Sequence, residues 1–182
     1  MKPIPIPSFL HDVFGEEQSF AELLIIVAFG VGATSVAVWA YPEIFDLPLW
    51  RSILALLLIL DIAAGCVANF TRGTNDFYAA RPKNRWVFIA IHFHVVVIGW
   101  LLGVGMEPAL WITGYTLVSA AAVNLMKGRD IQTLLGGLLM SAGVFALLLI
   151  PAAPPLLAAV GALFMIKVIF SFAVDHHSGR QT

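Results

Sequence analysis

The sequence predicts an all-α fold: a polytopic membrane bundle of six transmembrane helices with both termini cytoplasmic. Of 182 residues, 60% are hydrophobic and only 12% are charged, and mean hydropathy is +0.92. A soluble domain is about 45–50% apolar and about 25% charged. Six stretches also meet the roughly 20 apolar residues that a membrane helix needs. No strand alternation appears, so helices rather than barrel strands satisfy the backbone in lipid.

The first span reads from about Glu22 to Tyr41 and ends before Pro42. The second runs from Leu49 to Phe70, and the third from Trp86 to Val104, stopping at Gly105. The fourth covers Ala109 to Met126, and the fifth Thr133 to Ile150, where Pro151 stops it. The sixth starts at Pro154–Pro155, since proline suits a first helical turn, and ends near Val174. Together they form a single integral membrane domain, residues 1–182, whose first twenty residues are a cytoplasmic arm.

That arm carries prolines at 3, 5 and 7 and then Asp12, Glu16 and Glu17. It lacks the basic start and apolar core of a signal peptide. It reads as a short polyproline-like strap followed by an amphipathic stub, its acids suited to the start of span one.

Positive charge assigns the sides. Six spans put both termini, the 2–3 loop and the 4–5 loop on one side. Lys2, Arg72, Arg81, Lys83, Arg85, Lys127, Arg129 and Arg180 fall there, and only Arg51 falls opposite. The tenth cation, Lys167, lies inside span six. The expected location is a bacterial inner membrane. A formal net charge of −1 excludes the basic footprint of a nucleic-acid partner. One cysteine, Cys66, excludes a disulfide framework and a four-cysteine zinc site.

An ionisable side chain within a span costs at least about 2.5–3.5 kcal/mol at mid-depth and marks function by default. Asp61, His92 and Lys167 are such residues. At 1.5 Å per residue they lie about 14, 9 and 11 Å from the cytoplasmic ends of their spans, a common level. Asp61 and Lys167 are expected to pair with His92 beside them, either as an ion pair fixing helix register or as a catalytic group. Asp61, Gly65, Ala68 and Arg72 share one helical stripe; His92, Gly99 and Gly103 share a second. Thr113, Ala120 and Asn124 share a third; Lys167, Ser171 and Val174 share a fourth, with Ser178 beyond. Small residues on such stripes read as helix packing. His94, about 200° round an unbroken helix from His92, is expected to face away from the pocket.

The 2–3 loop concentrates further polar groups. Gly73 would cap span two, and Thr74 or Asn75 would cap a short helix ending before Pro82. Arg72, Arg81 and Arg85 would hold an anionic head group, with Asn69, Asn75, Tyr78 and Asn124 orienting it. Ordinary positive-inside anchoring is the competing explanation of those arginines. The sequon Asn69-Phe70-Thr71 lies at the cytoplasmic boundary and is discounted.

Asp175 and His177, with His92, are the only metal candidates. The His176-His177 pair also suits a helix C-terminus, and no His-x₃-His or Glu-x-x-His spacing supports a metal, so none is assigned. The sequence names no cofactor.

The expected function is a cytoplasm-facing polar pocket that binds or acts on an amphipathic anionic, lipid- or isoprenoid-like molecule. Asp61 would be acid or base, His92 its proton partner and Lys167 the counter-charge. Binding alone and catalysis are both compatible with these residues. Membrane lipid is the expected partner, with a homo-oligomer or a larger membrane complex also compatible. An accessory subunit and a proton-coupled transporter are the alternatives. The one-sided polarity and the lack of matched broken helices speak against transport.

Overall fold

The computed structural model describes residues 3–149 and 153–177. Lys2, Ile150, Pro151, Ser178 and Arg180 lie outside the described residues. Among the described residues, six helices are long and apolar enough to cross a bilayer: Phe20–Ala40, Leu49–Ala68, Pro82–Leu102, Met106–Leu125, Ile131–Leu148 and Pro155–Phe172. The sequence boundaries agree with these to within a few residues.

The arm is folded. β1 (Ile4–Pro5) pairs antiparallel with β2 (Glu17–Gln18), and a 3-10 turn with a short helix α1 (His11–Phe14) lies between them. Ser19 caps α2 (Phe20–Ala40): its hydroxyl accepts from the Glu22 amide at 3.2 Å, and the Glu22 carboxylate accepts from the Ser19 amide at 2.7 Å. This is a capping box. The acid serving the start of span one is therefore Glu22. Glu16 instead takes Arg81 at 2.5 Å.

α3 (Leu49–Ala68) follows, and then α4 (Arg72–Ala79). The cap of α4 is Thr71, whose hydroxyl accepts from the Thr74 amide at 3.4 Å, rather than Thr74 or Asn75. Gly73 does not close α3. It lies in the first turn of α4, where a Cβ would sit 2.0 Å from the Glu17 carbonyl oxygen. Gly15, at φ +72°, approaches the Gly73 carbonyl equally closely. Gln18 completes the joint, its buried amide donating to the Phe14 carbonyl at 2.5 Å and the Thr71 hydroxyl at 2.7 Å. Gly73→Val is therefore expected to undock the arm. Limited proteolysis within residues 3–18 should rise about tenfold, the change that roughly 1.4 kcal/mol produces, while the six long helices stay protected. Unchanged arm cleavage would contradict this docking.

Span three is two helices, α5 (Pro82–Ile91) and α6 (His94–Leu102). No proline breaks it. The His92 ring nitrogen Nδ1 donates to the Phe88 carbonyl, the acceptor that a continuing helix would offer the His92 amide. The amide turns to Ile89 instead, at 3.3 Å. A side chain inserted into the i→i−4 ladder is an established cause of a kink. α6 ends at Gly103, at φ +69°. Arg51 donates to the exposed Trp100 carbonyl at 2.7 Å, placing a cation at that helix C-terminus.

α7 (Met106–Leu125), α8 (Ile131–Leu148) and α9 (Pro155–Met165) complete the bundle. A π-helical stretch, Ile166–Phe172, extends α9. α9 and this extension form the centre, packed on α3, α6, α7 and α8. Phe164, Met165, Val168 and Ile169 are fully buried there. α2 packs chiefly on α3, and most of its apolar surface stays exposed. Such an outward face fits contact with lipid. Trp39, Trp50, Trp100 and Trp111 gather at one end, as interfacial tryptophans do.

Candidate functional site

The π-helical stretch sets the position of Lys167. Its ammonium reaches α3 and donates to the Asp61 carboxylate oxygen Oδ2 at 2.6 Å and to the Asp61 carbonyl at 3.2 Å. The lysine side chain is 4% exposed and that of Asp61 is 39% exposed. The pair is thus asymmetric: a sealed cation supports a carboxylate that still reaches open space. Gly65 makes the lysine's berth. A Cβ there would lie 2.5 Å from Lys167 Cε and 2.8 Å from Nζ. The glycine read as generic helix packing has this specific task.

The helix break brings both histidines to the same place. The rings of His92 and His94 meet edge to face with centroids 4.7 Å apart, and His94 Nε2 lies 3.8 Å from Asp61 Oδ2. The expectation that His94 faces away from the pocket is overturned. It assumed 100° per residue through a segment that is not helical at His92 and Phe93. His92 is buried and stacks on Phe88, which in turn stacks on Phe172.

These groups floor a cavity of about 340 Å³ between α3 and α5. Asp61, Gly65 and Asn69 form the α3 wall, and Asn84, Val87, Phe88 and Ile91 the α5 wall. Val87 and Ile91 are otherwise exposed, so the cleft opens sideways as well as toward the arm. Asp12 and Val13 of the arm stand at its mouth. Tyr78 ties them down, its hydroxyl donating to the Asp12 carbonyl at 2.8 Å. Burial and the nearby acids Asp12 and Asp61 raise the Tyr78 phenol above its ordinary value, so it stays a donor.

The remaining predicted residues are dispersed. Asn69 lines the cleft and its amide donates to the Lys167 carbonyl at 3.4 Å. Asn75 is buried and donates to the Val174 carbonyl, just past the π-helical stretch, at 3.4 Å. The arginine clamp does not form. Arg72 lies on the exposed face of α4, 4.0 Å from Asp76. Arg81 pairs with Glu16 and rests over the Phe77 ring at 4.0 Å. Arg85 is 1% exposed. It donates to Asn124 Oδ1 at 2.7 Å and to the Phe172 and Ala173 carbonyls at 3.3 and 2.9 Å. Arg85 and Asn124 thus belong to a polar joint inside the bundle. Helix faces explain the dispersal: Arg85 lies inside α5, not in the loop, and points across to α7 and the π-helical end.

Asp175 and His177 are also accounted for locally. The Asp175 carboxylate accepts from the His177 amide at 3.3 Å, and His177 Nε2 meets the Phe70 carbonyl at 3.1 Å. Among the described residues no group of three or more His, Cys, Asp or Glu is arranged to hold a metal. Sequence reasoning also missed Gln132, whose amide donates to the Ala173 carbonyl at 2.9 Å and the Val123 carbonyl at 3.3 Å. It missed Asn84, Phe88 and Ile91 as a cleft wall too, although their spacing of four and three residues marks one helical face.

Fold and site define an all-α protein whose described residues include six helices long and apolar enough to cross a bilayer, with an ion pair and two histidines at the base of a lateral cleft. No family model, no curated protein and no solved structure matches the chain.

Proposed function

We propose that the α3–α5 cleft takes up an amphipathic membrane molecule of lipid or isoprenoid type and acts on its polar group. The observation that carries this reading is the half-open Asp61 carboxylate, fixed by a buried lysine at the base of a cleft whose outer wall is apolar. An amphiphile entering sideways would bring its chain along Val87 and Ile91 and its head to Asp61. Asp61 would serve as acid or base, His92 and His94 as proton partners, and Lys167 as counter-charge. General acid–base groups must lie within hydrogen-bond reach, directly or through one water. The 3.8 Å between His94 and Asp61 is compatible with a bridging water. The setting we propose is a bacterial inner membrane with both termini cytoplasmic, on the strength of the eight cations at one end.

Photo-crosslinking tests the reading. Diazirine-bearing alkyl probes should label α3 and α5 peptides in the full chain. Val87→Trp and Ile91→Trp, each on an exposed wall position, should abolish that labelling without loss of the folded bundle. Uniform labelling of α2, α8 and the cleft would refute a specific site. Turnover is then sought by mass spectrometry of membrane lipids incubated with the wild type and with Asp61→Asn.

The broken third span favours a second reading. Discontinuous helices at ionisable residues are the usual architecture of ion-coupled transport sites. Proton flux in proteoliposomes that depends on Asp61 would select it; an absence of flux would leave the amphiphile site.

A further inference from the structure

We propose that the polar group taken into the cleft is a hydrogen-bond donor, an amine or a hydroxyl, and that carboxylate and phosphate heads are excluded. This rests on the reading of the cleft as an amphiphile site and names the chemistry of its ligand. The expectation drawn from the loop arginines was the opposite, an anionic head.

The lining contains two acidic residues, Asp12 at the mouth and Asp61 at the floor, against the single ammonium of Lys167. That ammonium is almost wholly enclosed and already donates to two acceptors of Asp61. It has little left to offer a ligand. The carboxylate is different. An ionised Asp is acceptor-only with about four lone-pair sites. Lys167 and the His94 contact both fall on Oδ2, so Oδ1 lies outside both.

The cations that could reverse this balance are engaged elsewhere. Arg81 is held by Glu16 and Arg85 by Asn124 and two carbonyls. An anionic head would face the Asp61 carboxylate in a site of low dielectric, where like charges repel strongly. An amine or hydroxyl would instead complete the carboxylate's hydrogen bonding.

The test uses the full chain in zwitterionic nanodiscs and four photoactivatable probes. All share one saturated alkyl chain and differ only in the head: primary amine, hydroxyl, carboxylate or phosphate. Labelled peptides are identified by mass spectrometry. The amine and hydroxyl probes should label the α3 and α5 peptides about tenfold more than either anionic probe, a ratio equivalent to roughly 1.4 kcal/mol. Equal or greater labelling by the carboxylate or phosphate probe would overturn the proposal and leave the amphiphile site standing. Labelling of the cleft by no probe above the level on α2 would overturn the amphiphile reading itself, and this proposal with it. Amine without hydroxyl labelling would overturn hydrogen-bond donation as the selecting property in favour of positive charge; labelling by both supports donation itself.

Discussion

Asp61→Leu is expected to be among the most damaging single substitutions in the bundle, costing about 3–5 kcal/mol, because it strands a buried ammonium. The reciprocal change, Lys167→Met, should cost less. It leaves a carboxylate that is 39% exposed and can recruit water, whereas the lysine it replaces is 4% exposed. The double variant Asp61→Leu/Lys167→Met should recover most of the loss, since an apolar pair of similar volume is often neutral or better than a buried ion pair. Thermal unfolding in detergent, followed by intrinsic fluorescence, reads all three. Equal losses in the two single variants would contradict the asymmetry. A double variant no better than Asp61→Leu would show that the pair is not acting as a unit. The same double variant separates stability from activity: with the bundle restored and the carboxylate gone, any turnover that survives does not use Asp61.

The second large effect is expected at Arg85. Arg85→Met removes a guanidinium that donates to Asn124 Oδ1 and to the Phe172 and Ala173 carbonyls. Each hydrogen bond to a charged group is worth about 1.5–3 kcal/mol, and buried acceptors left unmet add their own penalty. A loss of at least about 3 kcal/mol should therefore appear in the same unfolding measurement. Arg85→Lys should recover only part of it, because one ammonium cannot reproduce the planar fork that reaches α7 and the end of the last helix together. If Arg85→Met unfolds like the wild type while Arg72→Met also has no effect, the two arginines are equivalent surface cations and the buried joint carries no stability.

The class of fold was legible because it depends on sums. Six apolar lengths and few charges suffice, and the boundaries follow from prolines and glycines at 42, 105, 108 and 151. The meeting of Asp61 with Lys167 was legible for a related reason, since two opposite charges at one depth in lipid have few other partners. What escaped was set by side chains acting on the backbone. Nothing in the apolar run Trp86–Val104 announces a break, because the cause is the His92 ring taking the Phe88 carbonyl. That one bond reverses the placement of His94. Arg85 was misplaced because counting positive charge records which end of a helix a cation is near, but not whether it turns inward. Gly65 reads the same in sequence as any small residue between helices, and only the lysine tip beside it distinguishes its use.

The last helix has a consequence for the order in which the chain can be completed. Lys167 answers Asp61 of α3, and the carbonyls of Phe172, Ala173 and Val174 answer Arg85, Gln132 and Asn75 of α5, α8 and α4. Synthesis runs from the N-terminus, so each of those earlier groups enters the membrane before its partner exists. The five preceding spans are then an intermediate in which Asp61 lacks its lysine, Arg85 holds Asn124 but lacks its two carbonyls, and the Gln132 and Asn75 amides lack the Ala173 and Val174 carbonyls. Arrival of one segment supplies these missing partners together. Completion of this bundle accordingly depends on its last helix, and a chain that stops short of Pro155 lacks these partners of α3, α4, α5 and α8.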